Sequence, residues 1–449
     1  MGGFKLSASK IFNKSFRKKA IKKIYEERVK LKPSTGIDGV NDVSFGKHID
    51  LYVEVINRKV FNDTYKFSPY KEKLINKGKG KFPRVISVPT LRDKLTLAIL
   101  HNILSEVFEK DIDDEIVQTV ISRLQVTLKN PSFNYFIKID IEKFYDNIDH
   151  EIILKKLKRR IRKKEVLNLI TKSFSTPTIL PSSKKPYGVN SKGVPQGLSI
   201  SNILANVYMN DFDNIFTQQT NLAYFRYVDD ILIICNESDK KTIETSVKEQ
   251  IKALKLSINW DKNVDGFLSE EFSFLGYYFK NKVAGVKENN IYKLEKNIIE
   301  IFTRYKYSDY SRTTEFIWSL NLVITGGIID EKKYGWLFFY SQIDDLEVLF
   351  KLDWFIEKQF KRFKITHINK KDIKRFIKTY YEIHFNRSTS KYIPNFDKYT
   401  TPQKKEFLRG VVKYKNLNKL SDETVDKNFR KYVFKAIKKL EKDIQHISF

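Results

Sequence analysis

One cysteine, Cys235, occurs in 449 residues. That excludes an intrachain disulfide framework and any zinc site built from several cysteines, and it suits a reducing compartment. Within its apolar strand, Cys235 reads as a small buried hydrophobe. Long hydrophobic runs are missing as well: none approaches the ~20 residues that cross a bilayer. The first residues lack the apolar core of a secretory signal. Met1-Gly2 opens like a myristoylation start, but Leu6 stands where Ser or Thr is required. These absences lead us to expect a cytoplasmic protein with no membrane partner. Acidic residues are also scarce beside basic ones. With 54 Asp and Glu against 83 Lys and Arg, the net charge is +29, which calls for a polyanionic partner. A Lys-rich, Asn-rich composition also follows from genome bias, so charge by itself defines no interface.

Aromatic residues make up 14% of the chain, enough for a core and for stacking on unpaired bases. Residues 1–32 carry 11 Lys and Arg against Glu26 and Glu27. Ile11, Phe12, Phe16, Ala20, Ile21, Ile24 and Tyr25 recur there at helical spacing, which predicts one amphipathic basic helix facing nucleic acid. Residues 91–125 and 150–173 read as helical. Beyond about 287 the pattern becomes one of long amphipathic helices. Leu349, Leu352, Phe355, Ile356, Phe360 and Phe363 mark one apolar face; Phe429, Val433, Ile437, Leu440 and Ile444 mark another. Residues 386–403 read as a loop, with Thr401 as N-cap and Pro402 as first residue of the next helix. No internal repeat or low-complexity tract is evident.

Chemistry concentrates in two places. Tyr227-Val228-Asp229-Asp230 sits between the apolar runs 222–225 and 231–234, the pattern of a β-hairpin with two carboxylates at its tip. Solvated Asp-Asp turns are common, so this pair carries weight only alongside a third carboxylate. Residues 135–145 supply it: a short strand ending at Asp140 and bending into an aromatic-rich turn. Carboxylates from separate elements, converging on an open position above a shaped floor, are what two-metal phosphoryl transfer needs. Clustered aspartates repel one another, and hard cations such as Mg²⁺ hold them ionised.

Seven segments occur in the order seen in reverse transcriptases. They are Thr35-Gly-Ile-Asp-Gly-Val40, Arg84-Val-Ile-Ser-Val-Pro89, Asp140-Ile-Glu-Lys-Phe-Tyr145, Gly193-Val-Pro-Gln-Gly197, Tyr227-Val-Asp-Asp230, Leu254-Lys-Leu-Ser-Ile-Asn-Trp-Asp-Lys262 and Phe274-Leu-Gly276. The chain thus resembles the bacterial branch of that family, which includes group II intron enzymes. The resemblance implies an α+β right-hand polymerase: fingers, a palm with an antiparallel sheet, a helical thumb and a helical C-terminal extension. The expected boundaries are 1–75 for a basic N-terminal helix and the start of the fingers, and 76–286 for the fingers and palm core. The thumb would take 287–385 and a basic helical extension 386–449.

The same resemblance implies the roles of residues. Asp140, Asp229 and Asp230, with Ile141, would hold two Mg²⁺ ions, for which Mn²⁺ could substitute. Tyr145 would lie under the sugar and exclude a 2′-hydroxyl, and Phe144 and Ile141 belong to the same nucleotide site. Gln196 would touch the incoming nucleotide, and Arg84, helped by Lys79 and Lys81, would clamp the triphosphate. Lys262 would protonate pyrophosphate, while Phe274, Leu275 and Gly276 would form the primer grip. Each residue also has a plainer reading, as core aromatic, ordinary turn or surface lysine.

The segment Gly193-Val-Pro-Gln-Gly-Leu-Ser-Ile-Ser-Asn202 departs from the intron pattern, in which Ser-Pro follows Pro-Gln-Gly. With Asn321-Leu-Val-Ile-Thr-Gly326 and Tyr334-Gly-Trp-Leu-Phe-Phe-Tyr-Ser-Gln-Ile-Asp344 it resembles defence-associated reverse transcriptases, closest to the class encoding two such enzymes and a non-coding RNA. That implies antiphage function, a non-coding RNA template, deoxynucleoside triphosphates as substrates and a repetitive cDNA product. A second reverse transcriptase subunit and homo-oligomerisation are further implied partners. A retron or intron-derived enzyme is the alternative within the chemistry; an inactive RNA-binding scaffold is the alternative outside it.

Overall fold

The computed structural model describes residues 7–30, 33–76, 82–112, 115–182, 188–386 and 389–440. Lys79, Lys81, Leu6 and Ile444 lie outside them. The described residues mix helices with small sheets, the expected α+β class. They fall into two compact units: Met1–Asp114 with Ile137–Asp265, and Glu115–Phe136 with Gly266–Phe449.

The first unit is organised on the helix Leu91–Val107, in which 11 of 17 residues are buried. A helix apolar on every side must be wrapped by others. Its one buried charge, Asp93, accepts from Tyr65 Oη at 2.7 Å and the Ser68 N–H at 2.9 Å, beside the Arg92 guanidinium. Those partners make its burial tolerable. In place of the single basic helix that periodicity predicts, residues 7–30 form two, Ala8–Ser15 and Lys18–Ile24, then a π-helical turn Tyr25–Val29. The break falls where Phe16 turns inward against Phe12, ring centroids 4.9 Å apart. Asn57 Nδ2 donates to the Phe16 carbonyl at 2.8 Å and so satisfies a group the interrupted helix leaves open. Ile11, Phe12, Phe16, Ile21 and Tyr25 are buried as their spacing predicts.

Two sheets complete this region. One contains β1 (Tyr70–Ile75), β2 (Arg84–Val88) and β4 (Thr178–Ile179) in the order β2-β1-β4, with β1 antiparallel to β2 and parallel to β4. The other contains β3 (Tyr135–Asp140), β5 (Leu222–Tyr227), β6 (Asp230–Cys235) and β7 (Val264–Phe267) in the order β5-β6-β3-β7. Ile231 to Cys235 are all fully buried, so β6 is covered on both faces. Burial pushes the Cys235 thiol up to about 12, and it packs as an inert hydrophobe.

In the second unit β8 (Phe272–Phe274), β9 (Tyr277–Lys280) and β10 (Val283–Val286) form an antiparallel meander, and β11 (Gly327–Ile329) pairs with β12 (Lys332–Tyr334). Helices account for most of the remainder. Leu349, Leu352, Ile356 and Phe360 are buried on Glu347–Arg362, as are Phe429, Val433, Ile437 and Leu440 on Asp422–Leu440. The helix Val117–Leu128 belongs to this unit. Gln118 Nε2 donates to the Phe338 carbonyl at 3.1 Å, and Gln125 Nε2 to that of Gln342 at 3.0 Å. One cap differs from the expectation. The helix Thr401–Gly410 is capped by Thr400, because the Gln403 side chain reaches back to the Thr400 N–H at 2.9 Å.

Candidate active site

The hairpin of β5 and β6 pairs Leu222 with Cys235 through to Tyr227 with Asp230, which leaves Val228 and Asp229 as a two-residue tip. Val228 has φ of 59°. Two-residue hairpin loops usually put glycine at such a position, and a β-branched residue is strained there. Asp230 opens β6, and Asp140 closes β3, the neighbouring strand. Topology thus brings carboxylates about 90 residues apart to one site. The Asp229 carboxyl is pushed up to about 6, first by burial, then by the charge of Asp230, with a further contribution from Asp140; Arg84 pulls the other way. A half-buried carboxyl beside two other carboxylates is a place that positive charge stabilises.

Asp140 is held by the segment that follows Leu254. Its Oδ2 accepts from Lys262 Nζ at 3.0 Å and from Asn259 Nδ2 at 3.2 Å. Its N–H donates to Asn263 Oδ1 at 3.1 Å, and its carbonyl accepts from the Asn259 N–H at 2.9 Å. Ile141, buried, bridges to Ile258. Lys262 is therefore at the carboxylate, although 64% of its side chain is exposed.

After Lys143, which takes the left-handed conformation, the chain enters the short helix Phe144–Asn147. Phe144 is buried beneath it. Tyr145 lies close enough to Asp229 for the carboxylate to act on its hydroxyl, which burial chiefly, and that charge next, hold well above the ordinary phenol range. Arg84 and Arg226 oppose that rise.

The glycine-flanked segment docks on this turn. Val194 N–H donates to the Tyr145 carbonyl and Gly193 N–H to that of Ile148, both at 2.8 Å. Gly193 has φ of 86°, and a Cβ there would lie 2.9 Å from the Asp146 carbonyl oxygen, so glycine is required. The Gln196 carbonyl accepts from the Ser87 N–H at 2.7 Å, which ties it to β2, the strand that Arg84 opens. Half-buried Gln196, Arg84, Tyr145, Asp140 and the two hairpin aspartates thus belong to one neighbourhood of the first unit. Phe274, Leu275 and Gly276 lie in the second unit, where Leu275 and Gly276 form the two-residue turn between β8 and β9.

Several contributors escape notice in the sequence: Asn259 and Asn263 behind Asp140, and Arg226 behind the hairpin. Arg226 carried a signal, since a charged residue in an otherwise apolar strand demands a partner. The asparagines carried none; only tertiary pairing reveals them.

Among the described residues, no group of three His, Cys, Asp or Glu side chains is set to hold an ion as it stands. Asp140 is turned onto Lys262 and Asn259. The donor set is nevertheless suited to a divalent cation. All three groups are hard carboxylate oxygens, and half-buried Asp229 is repelled by Asp230 and Asp140, which a cation would relieve.

Residues 75–279 match the family described as reverse transcriptase (RNA-dependent DNA polymerase). That match spans less than half of the chain. All three aspartates, Tyr145, Gln196 and Lys262 fall inside it. Protein YkfC of Escherichia coli is 22% identical over 290 residues, covering 54% of this chain and 74% of that protein. The putative COX1/OXI3 intron 1 protein of Saccharomyces cerevisiae is 26% identical over 313 residues, covering 56% of this chain but 37% of its own length. The group II intron-encoded protein LtrA of Lactococcus lactis is 26% identical over 172 residues, covering 37% and 28%. The chain thus spans little over a third of the yeast protein and less of LtrA. Among solved structures, telomerase from Candida albicans in complex with a fragment of telomeric RNA aligns over 89% of this chain and 70% of that one, at 14% identity and a TM-score of 0.44. No helix among the described residues is long and apolar enough to cross a membrane.

Proposed function

We propose that this protein is an RNA-directed DNA polymerase that copies a non-coding RNA into cDNA. The observation that carries the reading is that the charges of Asp140 and Asp230 both act on Asp229 inside the matched stretch. Asp140, Asp229 and Asp230, with Ile141 beside them, would hold two Mg²⁺ ions, or Mn²⁺. When bound, such ions activate the primer hydroxyl and neutralise the charge that develops on pyrophosphate. The chain's own residues supply the rest. Arg84 holds triphosphate oxygens. Tyr145 blocks a 2′-hydroxyl, which selects deoxynucleotides. Gln196 and Phe144 bound the nucleotide. Lys262, already at Asp140, donates a proton to the leaving group. Phe274, Leu275 and Gly276 hold the primer, residues 287–385 act as thumb, and 386–449 form a basic extension. A scaffold without catalysis gains nothing from placing half-buried Asp229 beside two like charges. Extension of a DNA primer on an RNA template, with Mg²⁺ and deoxynucleotides, tests the proposal; failure under those conditions would remove it.

The finer reading is antiphage defence in the cytoplasm, with a structured non-coding RNA as template and repetitive cDNA as product. A second reverse transcriptase subunit and self-association belong to that reading. Its support is the departure of residues 193–202 from the intron pattern and the resemblance of 321–326 and 334–344. An intron-derived enzyme is the second reading, favoured by relatives named as intron proteins. Sequencing the nucleic acid that co-purifies with the protein separates them: intron RNA favours the second, a dedicated small RNA with repeated cDNA the first.

A further inference from the structure

The hairpin tip that carries Asp229 is held by a strut, a side chain of its own strand, β5, anchored on a neighbouring helix. Arg226 lies two residues before Val228, and its side chain is 5% exposed. Its Nη1 donates to the Val228 carbonyl at 3.0 Å. Its Nε donates to Asp213 Oδ1 at 2.7 Å and its Nη2 to Asp213 Oδ2 at 2.6 Å, a two-pronged pairing with the helix Ser201–Thr217. Nη2 also reaches Asn206 Oδ1 at 3.2 Å on the same helix, and Tyr224 Oη donates to Asp213 Oδ1 at 2.7 Å. One planar guanidinium therefore joins a buried helix to the carbonyl of the strained residue next to Asp229.

We propose that Arg226, locked by Asp213, is a positioning residue that holds the strained Val228 tip in place and so presents Asp229 and Asp230 to the metal ions. Three features make the arginine specific to the task. A lysine has no fixed fork, so it cannot grip both Asp213 oxygens and still reach the Val228 carbonyl. Val228 at φ of 59° does not hold its conformation by local preference. Asp213 is committed to Arg226 and Tyr224, which makes the strut rigid where it meets the helix. The inference rests on the metal-holding role proposed above for Asp229 and Asp230.

The test uses the full chain and Mn²⁺ as probe. Metal affinity is read from the free Mn²⁺ signal by electron paramagnetic resonance, and synthesis from primer extension. Arg226→Lys should weaken Mn²⁺ binding and lower kcat, each by ~10–100-fold, as loss of a group that orients a ligand does. The KM for deoxynucleotide should change far less. Val228→Gly, which removes the need for restraint, should restore most of the loss when added to Arg226→Lys. Wild-type Mn²⁺ affinity in Arg226→Lys would overturn the proposal, as would a loss that Val228→Gly leaves unchanged. The polymerase reading is judged apart from this. A wild-type chain that makes no DNA, yet shows the full pattern of Mn²⁺ affinities, sinks that reading and leaves the strut standing.

Discussion

Two hairpins of this protein have two-residue tips, and they are built by opposite means. Between β8 and β9, Leu275 and Gly276 both take positive φ, 47° and 82°, with glycine at the second position. That turn follows from local chemistry. Between β5 and β6, Val228 and Asp229 offer no glycine, and the tip depends on Arg226 of β5, which Asp213 and Asn206 anchor to the helix Ser201–Thr217. The difference is instructive. One turn meets its geometry with a glycine of its own; the other keeps a β-branched residue at positive φ and restrains it through an arginine anchored on a helix.

Four experiments would break or sharpen that contrast. Replacing Asp229 by Asn should cut DNA synthesis by ~10²–10³-fold or more while RNA binding, read by filter retention, stays near wild type. Normal synthesis would take Asp229 out of the chemistry and leave the strained tip without a purpose. Tyr145→Ala should reduce discrimination against ribonucleotides by ~10–100-fold in competing single-nucleotide incorporations. Unchanged discrimination would make the ring mere packing beneath the tip.

The third concerns pH. The Asp229 carboxyl sits at about 6, so below that pH a proton competes with the cation for it. The Mg²⁺ needed for half-maximal synthesis should climb ~tenfold per pH unit below 6 and level off above it. The linkage to stability has the opposite sense to that of a salt-bridged aspartate. A value raised above the ordinary 3.8 means that the metal-free fold loses stability as pH rises from about 4 to 6. Asp229→Asn should therefore raise the metal-free Tm at pH 7, and a lowered Tm would contradict the burial argument. The smallest effect compares the two turns directly. Val228→Gly should stabilise by up to ~1 kcal/mol through relief of strain, whereas Gly276→Ala should cost about as much in chemical denaturation.

How far the sequence foretold all this depended on the range of the forces involved. Local patterns were legible: alternating apolar runs around Tyr227-Val228-Asp229-Asp230 gave the hairpin, and the strand ending at Asp140 was equally plain. Burial of Leu349, Leu352 and Ile356 followed from helical spacing. Longer-range effects were not legible. The N-terminal periodicity continues through Phe16, but a side chain 41 residues away, Asn57, makes the break there favourable. Val117–Leu128 reads as a continuation of the preceding helices, yet glutamine bonds to backbone more than 200 residues downstream assign it to the second unit. Thr400 rather than Thr401 became the cap because Gln403 chose it. Asn259 and Asn263 matter only through partners that no one-dimensional pattern displays, and Arg226 signalled a need for a partner without saying which.

The clasp on Asp140 bears on the order of events during synthesis. Asn259, Lys262 and Asn263 lie about 120 residues beyond the carboxylate they restrain. A nascent chain still attached to the ribosome has all three aspartates before it has that clasp. The end of β3 therefore stays unclasped until the stretch following Leu254 has emerged.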